Sequence, residues 1–322
     1  MFFENRLSLV TGGSGFVGTH IVKALLGQGA RVRIPVHERA PLVTDPRIET
    51  VQADLTRQAD CVAVMKGVDF VFHAAGSVGA AGLAASNAMG SITGNLVLTS
   101  QVLQAAWTAQ VERILIFGSS TGYPASEHPI REEEMWSGPV HPSYLGYGWM
   151  RRYLERMAEF VASRSAVQVA LVRPTAIYGR HDNFRPDTSH VIPALVRKAV
   201  DKMNPFEVWG TGEEVRDFLH VEDLARGCLL TMEKHAACDP VNIGYGAGVT
   251  VRRLVEIILG AAGHGGAEVR FDAAKPTTIP VRVVDTSKAK RLLGFTPAIA
   301  LEDGLRDLVQ WYAATPRQSL PA

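Results

Sequence analysis

The chain is poor in cysteine. Its three, Cys61, Cys228 and Cys238 in 322 residues, are widely spaced and form no metal-type pair. That argues against a disulfide scaffold and a thiolate metal site, and it suits a reducing compartment. No apolar stretch is long enough to span a bilayer. The first ten residues, MFFENRLSLV, carry an acid and an amide and run straight into a motif, unlike a signal peptide. Charge of one sign is missing too: 33 Lys and Arg balance 32 Asp and Glu, for a net +1, and the basic residues form no run. Nothing electrostatic favours nucleic acid or an anionic membrane as a partner. Internal repeats and low-complexity segments are also absent. What remains is 47% hydrophobic and 20% charged, enough for one large or two small domains with ample core. The expectation is a soluble, cytoplasmic protein.

Strand-like and helix-like segments alternate through the first half. Residues 7–10 form a short apolar run that ends in glycines. Phe16, Val17, Ile21, Val22, Leu25 and Leu26 then recur at helical spacing. Strands are expected at 31–36, 68–73, 111–117 and 167–172, and helices around 61–66, 92–109 and 147–163. This alternation predicts an α/β fold, a doubly wound parallel sheet covered on both faces. The second half is less regular: loop over 174–189, strand-like pieces at 206–209, 216–220 and 241–243, and helices at 221–234, 250–262 and 301–312. It reads as a smaller C-terminal α/β lobe, with the dinucleotide-binding part over 1–174 and 214–244 and the lobe over 175–213 and 245–322.

The stretch LVTGGSGFVG places Gly12, Gly15 and Gly18 at the first strand–helix junction. One glycine permits the tight turn, one lets a pyrophosphate approach the backbone, and one lets helix and strand pack closely. The helix N-terminus then offers unpaired N–H groups to the phosphates. NAD selection usually needs an acid at the end of the second strand. Here the residues are VRIPVHER, where Glu38 is the nearby acid and Arg33, His37 and Arg39 are candidates to meet a 2′-phosphate. NADP is therefore expected over NAD. Asp54, in ADL, is either an adenine neighbour or a cap.

TGGSGFVG, the HAAG of 73–76, the GSS of 118–120, Tyr147 with a basic residue four places on, and RPTAIYG of 173–179 occur in order. Together they resemble the extended short-chain dehydrogenase/reductases that act on nucleotide sugars. DNFRPDTSHVIPAL, VWGTGEEVRDFLHVEDLA and VRVVDTSKAKRLLGF carry the resemblance almost to the C-terminus. Residues 181–220 look most like the GDP-L-fucose synthase-like epimerase/reductases within that family. The resemblance implies a Rossmann fold, a nucleotide-sugar substrate, no metal, and a homodimer formed through the helices at 92–109 and 147–163. It places Gly12, Gly15, Phe16, Val17, Arg39, Asp54, Leu55, Ala74, Tyr147, Arg151 and Pro174 around the cofactor.

Reduction of a ketone leaves an alkoxide that needs a proton, and a tyrosine can supply it when a fixed cation stabilises the phenolate. The family assigns that role to the Tyr147 position and expects lysine at 151. Arg151 stands there, four residues on and so on the same helix face, with the charge kept but a planar, more delocalised head. The alternatives are that Tyr147 is a packing residue beside a surface cation, or that Tyr144 is the catalytic one, although Gly148 offers it no cation. By resemblance Ser119 bonds the reacting oxygen. Where the fucose synthase-like branch has a cysteine this chain has Thr121, a poor base, while its partner histidine is present as His190. The resemblance places His190, Lys198, Trp209, Arg216 and Arg282 at the substrate. The expected activity is NADPH-dependent reduction of a 4-keto nucleotide sugar, with or without epimerisation. A redox-neutral NAD-dependent 4-epimerase and a dinucleotide-binding protein without turnover are the alternatives.

Overall fold

The structure is a computed structural model, and it describes residues 1–76, 88–275 and 277–316. The chain runs β1 (Leu7–Thr11), α1 (Phe16–Gly27), β2 (Arg31–Val36), β3 (Ile48–Gln52), α2 (Gln58–Val64), β4 (Phe70–His73), α3 (Ala88–Ala109), β5 (Arg113–Phe117), α4 (Leu145–Arg164) and β6 (Gln168–Pro174). It continues with β7 (Ala176–Tyr178), α5 (Val191–Val200), β8 (Phe206–Trp209), β9 (Val215–Arg216), β10 (Phe218–His220), α6 (Val221–Lys234) and β11 (Val241–Ile243). Last come β12 (Val249–Thr250), α7 (Val251–Ala261), β13 (Val269–Asp272), β14 (Val281–Arg282), α8 (Ser287–Leu293) and α9 (Leu301–Ala314).

Seven strands form one parallel sheet in the order β11-β6-β5-β4-β1-β2-β3. Its central strands are apolar on both faces, so each face needs a cover; β1 is buried at every position. Val22 and Leu25 of α1 with Leu224 and Cys228 of α6 pack on one face. Cys61 of α2, Val102 and Ala106 of α3 and Ala158 of α4 pack on the other. From β1 the chain winds outward to β2 and β3, then returns to β4 on the opposite side. The strand order thus reverses between β1 and β4, and a crevice opens beyond their C-terminal ends, where such sheets bind ligands. The Gly12–Gly18 turn and the 73–76 segment form its rim. In the C-terminal part α5, α7 and α9 share a second core with the β8–β13 pair, built around Leu195, Phe206, Leu254 and Leu305. A small sheet of order β12-β9-β14 adjoins it.

The doubly wound sheet matches the expectation from the sequence, and several details differ. Residues 216–220 are two short strands in different sheets, β9 and β10, rather than one. The edge strand β3, and the helices α5 and α8, had not been expected. No helix among the described residues is long and apolar enough to cross a membrane.

The closest packing in the sheet–helix junction is at Gly18, where a Cβ would stand 2.0 Å from the Gly12 carbonyl oxygen. Gly18→Ala is expected to cost about 1–3 kcal/mol by overpacking and to weaken dinucleotide binding, because the turn itself must open. Urea unfolding and fluorescence titration with NADPH check this; an unchanged midpoint and affinity would contradict it.

Candidate active site

The turn after β1 is shaped for a close approach. Gly12 has φ +67°, and a Cβ on it would meet the Ala75 backbone at 2.8 Å. Gly15 caps α1 without a side-chain bond, so the first-turn N–H groups face the crevice, with Phe16 and Val17 half-buried beside them. The Ser14 hydroxyl is buried in this turn with no partner. A cradle of N–H groups, an unpaired hydroxyl and a backbone with no Cβ in the way fits a pyrophosphate. Across the rim the Ala74 N–H donates to the Thr11 carbonyl at 3.2 Å. His73, wholly buried, bonds the Thr11 hydroxyl through Nδ1 (2.8 Å) and the Thr99 hydroxyl through Nε2 (3.0 Å). Burial, aided by the charge of Arg151, drops its pKa to about 3, so the ring is neutral and links β1, β4 and α3.

At the adenine end His37, Glu38 and Arg39 are exposed after β2, and Arg39 makes no hydrogen bond or ion pair among the described residues. Arg33 is otherwise engaged. It bonds Glu49 at 3.0 Å and the carbonyls of Val64 and Lys66 at 2.8 and 2.7 Å, so it does not face a ligand at the strand end. Asp54 accepts from the Thr56 N–H and hydroxyl, which lowers its pKa, and it acts as a turn cap. Leu55 is core, and Pro174 ends β6.

Tyr147 and Arg151 lie one turn apart on α4, both half-buried. The Arg151 Nε and Nη2 donate to the phenol oxygen at 3.1 and 2.5 Å, and Nη1 donates to the Phe117 carbonyl at 3.2 Å. The substituted cation therefore reaches the phenol and also ties α4 to the end of β5. The next residues make a tight 3₁₀ turn. Ser119 Oγ accepts from the Thr121 N–H at 3.2 Å and shares a hydrogen bond with the Thr121 hydroxyl at 2.8 Å. Gly148 lets α4 sit on this turn, since a Cβ there would be 2.6 Å from the Thr121 carbonyl oxygen. A buried Arg173–Glu155 pair at 2.7 and 2.9 Å closes the region from below, and Arg173 also donates to the Tyr123 hydroxyl and the Glu132 carbonyl.

His190 precedes α5 with no side-chain capping bond. The residue is exposed, yet protein packed around the imidazole lowers its pKa and favours the neutral ring. No hydrogen bond joins it to Thr121 among the described residues. Lys198 donates to the Glu207 carbonyl at 2.7 Å, and burial lowers its pKa. Trp209 is exposed, with the Lys275 ammonium 5.9 Å from its ring centroid.

Arg216 and Arg282 are directly paired across β9 and β14. Neither has an acidic partner among the described residues. Arg216 bonds the Val215 and Pro280 carbonyls and the Thr278 hydroxyl, and Arg282 the Pro124 and Tyr123 carbonyls, with its Nε unpaired and buried. Burial lowers both pKa values, that of Arg282 to about 10, where the Arg216 charge also contributes. Two adjacent guanidinium groups without an ion-paired carboxylate can attract an anion, although the Glu214 charge acts on Arg216. The Tyr144 phenol interacts with both arginines, which the sequence did not suggest. Tyr144 ends the short 3₁₀ turn that leads into α4, one turn before Tyr147.

The chain matches the NAD dependent epimerase/dehydratase family over residues 8–244. It belongs to that family. It is an enzyme of the nucleotide-sugar epimerase/reductase class and uses a nicotinamide dinucleotide, so a binding protein without turnover is set aside. It is 34% identical to a putative GDP-L-fucose synthase 2 of Arabidopsis thaliana, over 97% of this chain and 93% of that one. It is 28% identical to a dTDP-4-dehydro-6-deoxy-D-allose reductase of a Streptomyces species, over 96% and 97%. The UDP-glucose 4-epimerase of Thermotoga maritima has the same fold, with a TM-score of 0.85 at 22% identity over 98% of this chain and all of that one.

Tyr147→Phe is expected to lower kcat by roughly 100- to 10,000-fold while NADPH still binds, whereas Arg151→Lys keeps or raises kcat. Steady-state rates with a parallel cofactor titration check both. Turnover that survives in Tyr147→Phe removes the phenol from the chemistry.

Asp182, buried beside this lobe, bonds only the Asn183 N–H through Oδ1; Oδ2 has no partner. Burial raises its pKa to about 7. A folded-state pKa above the unfolded one means that stability is full below the unfolded pKa, near 4, and is lost as pH rises through 7. Asp182→Asn is expected to raise Tm at pH 8 and much less at pH 5. Equal shifts at both pH values would refute the assignment.

Proposed function

We propose that the chain is an NADP(H)-dependent reductase, or epimerase/reductase, of a nucleotide-activated 4-keto sugar. The observation that carries this reading is the double hydrogen bond from Arg151 to the Tyr147 phenol at the crevice. The bound dinucleotide supplies the hydride. Tyr147 gives its proton to the oxygen of the former ketone, and Arg151 stabilises the phenolate left behind. Ser119, steadied by Thr121, hydrogen-bonds the same oxygen. When epimerisation occurs, neutral His190 takes a proton from a carbon next to the ketone and passes it to solvent, and solvent returns a proton to the opposite face of that carbon.

Thr121 weighs toward simple reduction, because a hydroxyl bonded to Ser119 is a poor base. Arg216 and Arg282 hold the substrate diphosphate, Lys198 adds positive charge, and Trp209 covers the sugar or base. NADP is favoured over NAD by His37 and Arg39 beyond β2, where Glu38 is the nearby acid. The dinucleotide is assigned to residues 1–174 and 214–244, and the sugar nucleotide to 175–213 and 245–322. Leu145, Trp149, Tyr153 and Phe160 expose an apolar stripe on α4, continued by Val97 and Trp107 of α3. We assign this stripe to a homodimer contact and the protein to the cytoplasm.

The second reading is a redox-neutral 4-epimerase, which the threonine at 121 also fits, because UDP-galactose 4-epimerase-like sequences have a threonine in a similar place. Incubation with GDP- and dTDP-linked 4-keto-6-deoxy sugars and with ordinary UDP-sugars, in NADPH or NADH, separates the two. Net NADPH consumption is expected with a keto sugar, at a kcat/KM roughly tenfold above that with NADH, the worth of one charge-assisted contact to the 2′-phosphate. Copurifying NAD and interconversion of ordinary UDP-sugars without net oxidation would replace this reading with the epimerase.

A further inference from the structure

Arg152 follows Arg151 on α4, about 100° round the helix, and is directed into the protein. It is 2% exposed and makes no ion pair of its own among the described residues; burial opposes its charged form, and the charge of Glu155, which is paired with Arg173, favours it. Its Nε donates to the Gly122 carbonyl at 2.7 Å and its Nη2 to the Gly138 carbonyl at 2.8 Å. The guanidinium carbon is 5.0 Å from the Trp136 ring centroid and 4.9 Å from that of Trp149, so two indoles help to cover it from water. A methionine or leucine would fill such a slot without the cost of desolvating a charge. What the guanidinium adds is direction, two bonds in one plane to two fixed carbonyls.

Those bonds matter because of where they fall. Arg151 holds the Phe117 carbonyl and Arg152 the Gly122 carbonyl, so consecutive residues of one helix grip both ends of the segment that carries Ser119 and Thr121. Between the grips there is little slack. The Gly118 N–H donates to the Val172 carbonyl at 2.8 Å, and a Cβ at Gly118 would stand 2.1 Å from the Glu155 carboxylate. The Gly122 N–H closes the turn on the Ser119 carbonyl at 3.1 Å.

We propose that Arg152 is a positioning residue for the reaction: its hold on Gly122 sets where the Ser119 and Thr121 hydroxyls stand relative to the Tyr147 phenol. The kinetic half of this inference rests on the keto-sugar reductase reading. The geometric half does not. It concerns the placement of a turn on a helix, and it is measurable without substrate. Arg152 touches neither cofactor turn, so its loss separates from cofactor binding.

The test uses Arg152→Met and Arg152→Lys in the full-length protein, each checked for a cooperative thermal transition. With the keto sugar that the wild type reduces, Arg152→Met is expected to lose roughly 10- to 100-fold in kcat, the cost of misplacing a catalytic group by a fraction of an ångström to about 1 Å. The KM for NADPH stays within about twofold. Arg152→Lys, which keeps one donor within reach of Gly122, recovers part of the rate. In a Thr121→Cys background, alkylation by iodoacetamide at that position, followed by mass spectrometry, is expected to change by at least about threefold when Arg152→Met is added.

A folded Arg152→Met protein with wild-type kcat and unchanged alkylation overturns the proposal. So does a loss of activity that arises wholly from weaker NADPH binding. Should Arg152→Met fail to fold, a folded Arg152→Lys protein with wild-type kcat and unchanged alkylation overturns it equally. If no keto sugar is turned over, the reductase reading fails, and the alkylation rates still decide the role of Arg152.

Discussion

A guanidinium hydrogen-bonded to a phenol is the contact on which the rest of the site depends. Arg151 reaches Tyr147 with two N–H groups and the Phe117 carbonyl with a third. An ammonium in its place would be a point charge free to rotate, whereas the planar head fixes both partners in one plane. The same residue thus places a cation at the phenol and ties α4 to the end of β5. A guanidinium is no proton relay at neutral pH, so refilling the phenol must use other groups.

Around that contact α4 acts as a polar clamp. Arg151, Arg152 and Glu155 face the end of β5 and the turn after it, and Glu155 carries the clamp on to Arg173 and from there to Tyr123. Tyr123 in turn donates to Asn242 on the neighbouring strand β11 at 2.7 Å. Breaking a buried pair such as Arg173–Glu155 by removing one partner costs about 3–5 kcal/mol, since the survivor is left charged and unpaired. The turn after β5 is thus held by charged and polar bonds as well as by packing on Met135, and the polar bonds give direction at the expense of desolvation.

Much of the sheet was legible because buried parallel strands are short apolar runs between helical patterns. The Gly12–Gly18 turn could be read because its position after β1 was as informative as its glycines. The edge strand β3 was not, because Ile48–Gln52 is half polar and largely exposed, and edge strands lack the apolar signature. Residues 216–220 read as one strand because nothing in five residues shows that the chain changes sheets. At the site, Tyr147 with Arg151 followed from a spacing of four. Arg152 was hidden, since two adjacent arginines on a helix suggest a solvated face, and only the surrounding indoles show otherwise. Arg33 read as a free cation, although its strand register aims it at Glu49 and the end of α2. Tyr144 was visible as an alternative catalytic tyrosine, but its relation to Arg216 and Arg282 was not, because it comes from segments more than 70 residues apart in sequence.

The side-by-side guanidinium groups of Arg216 and Arg282 have a bearing on handling as well as on chemistry. Like charges held together in a partly buried place repel, and that repulsion opposes the fold. Any small oxyanion that settles between them relieves it and, by mass action, makes the folded form harder to melt. Phosphate or sulfate in a storage buffer would then act as a stabiliser and as a rival to the natural ligand, so the choice of salt shapes both shelf life and apparent affinity.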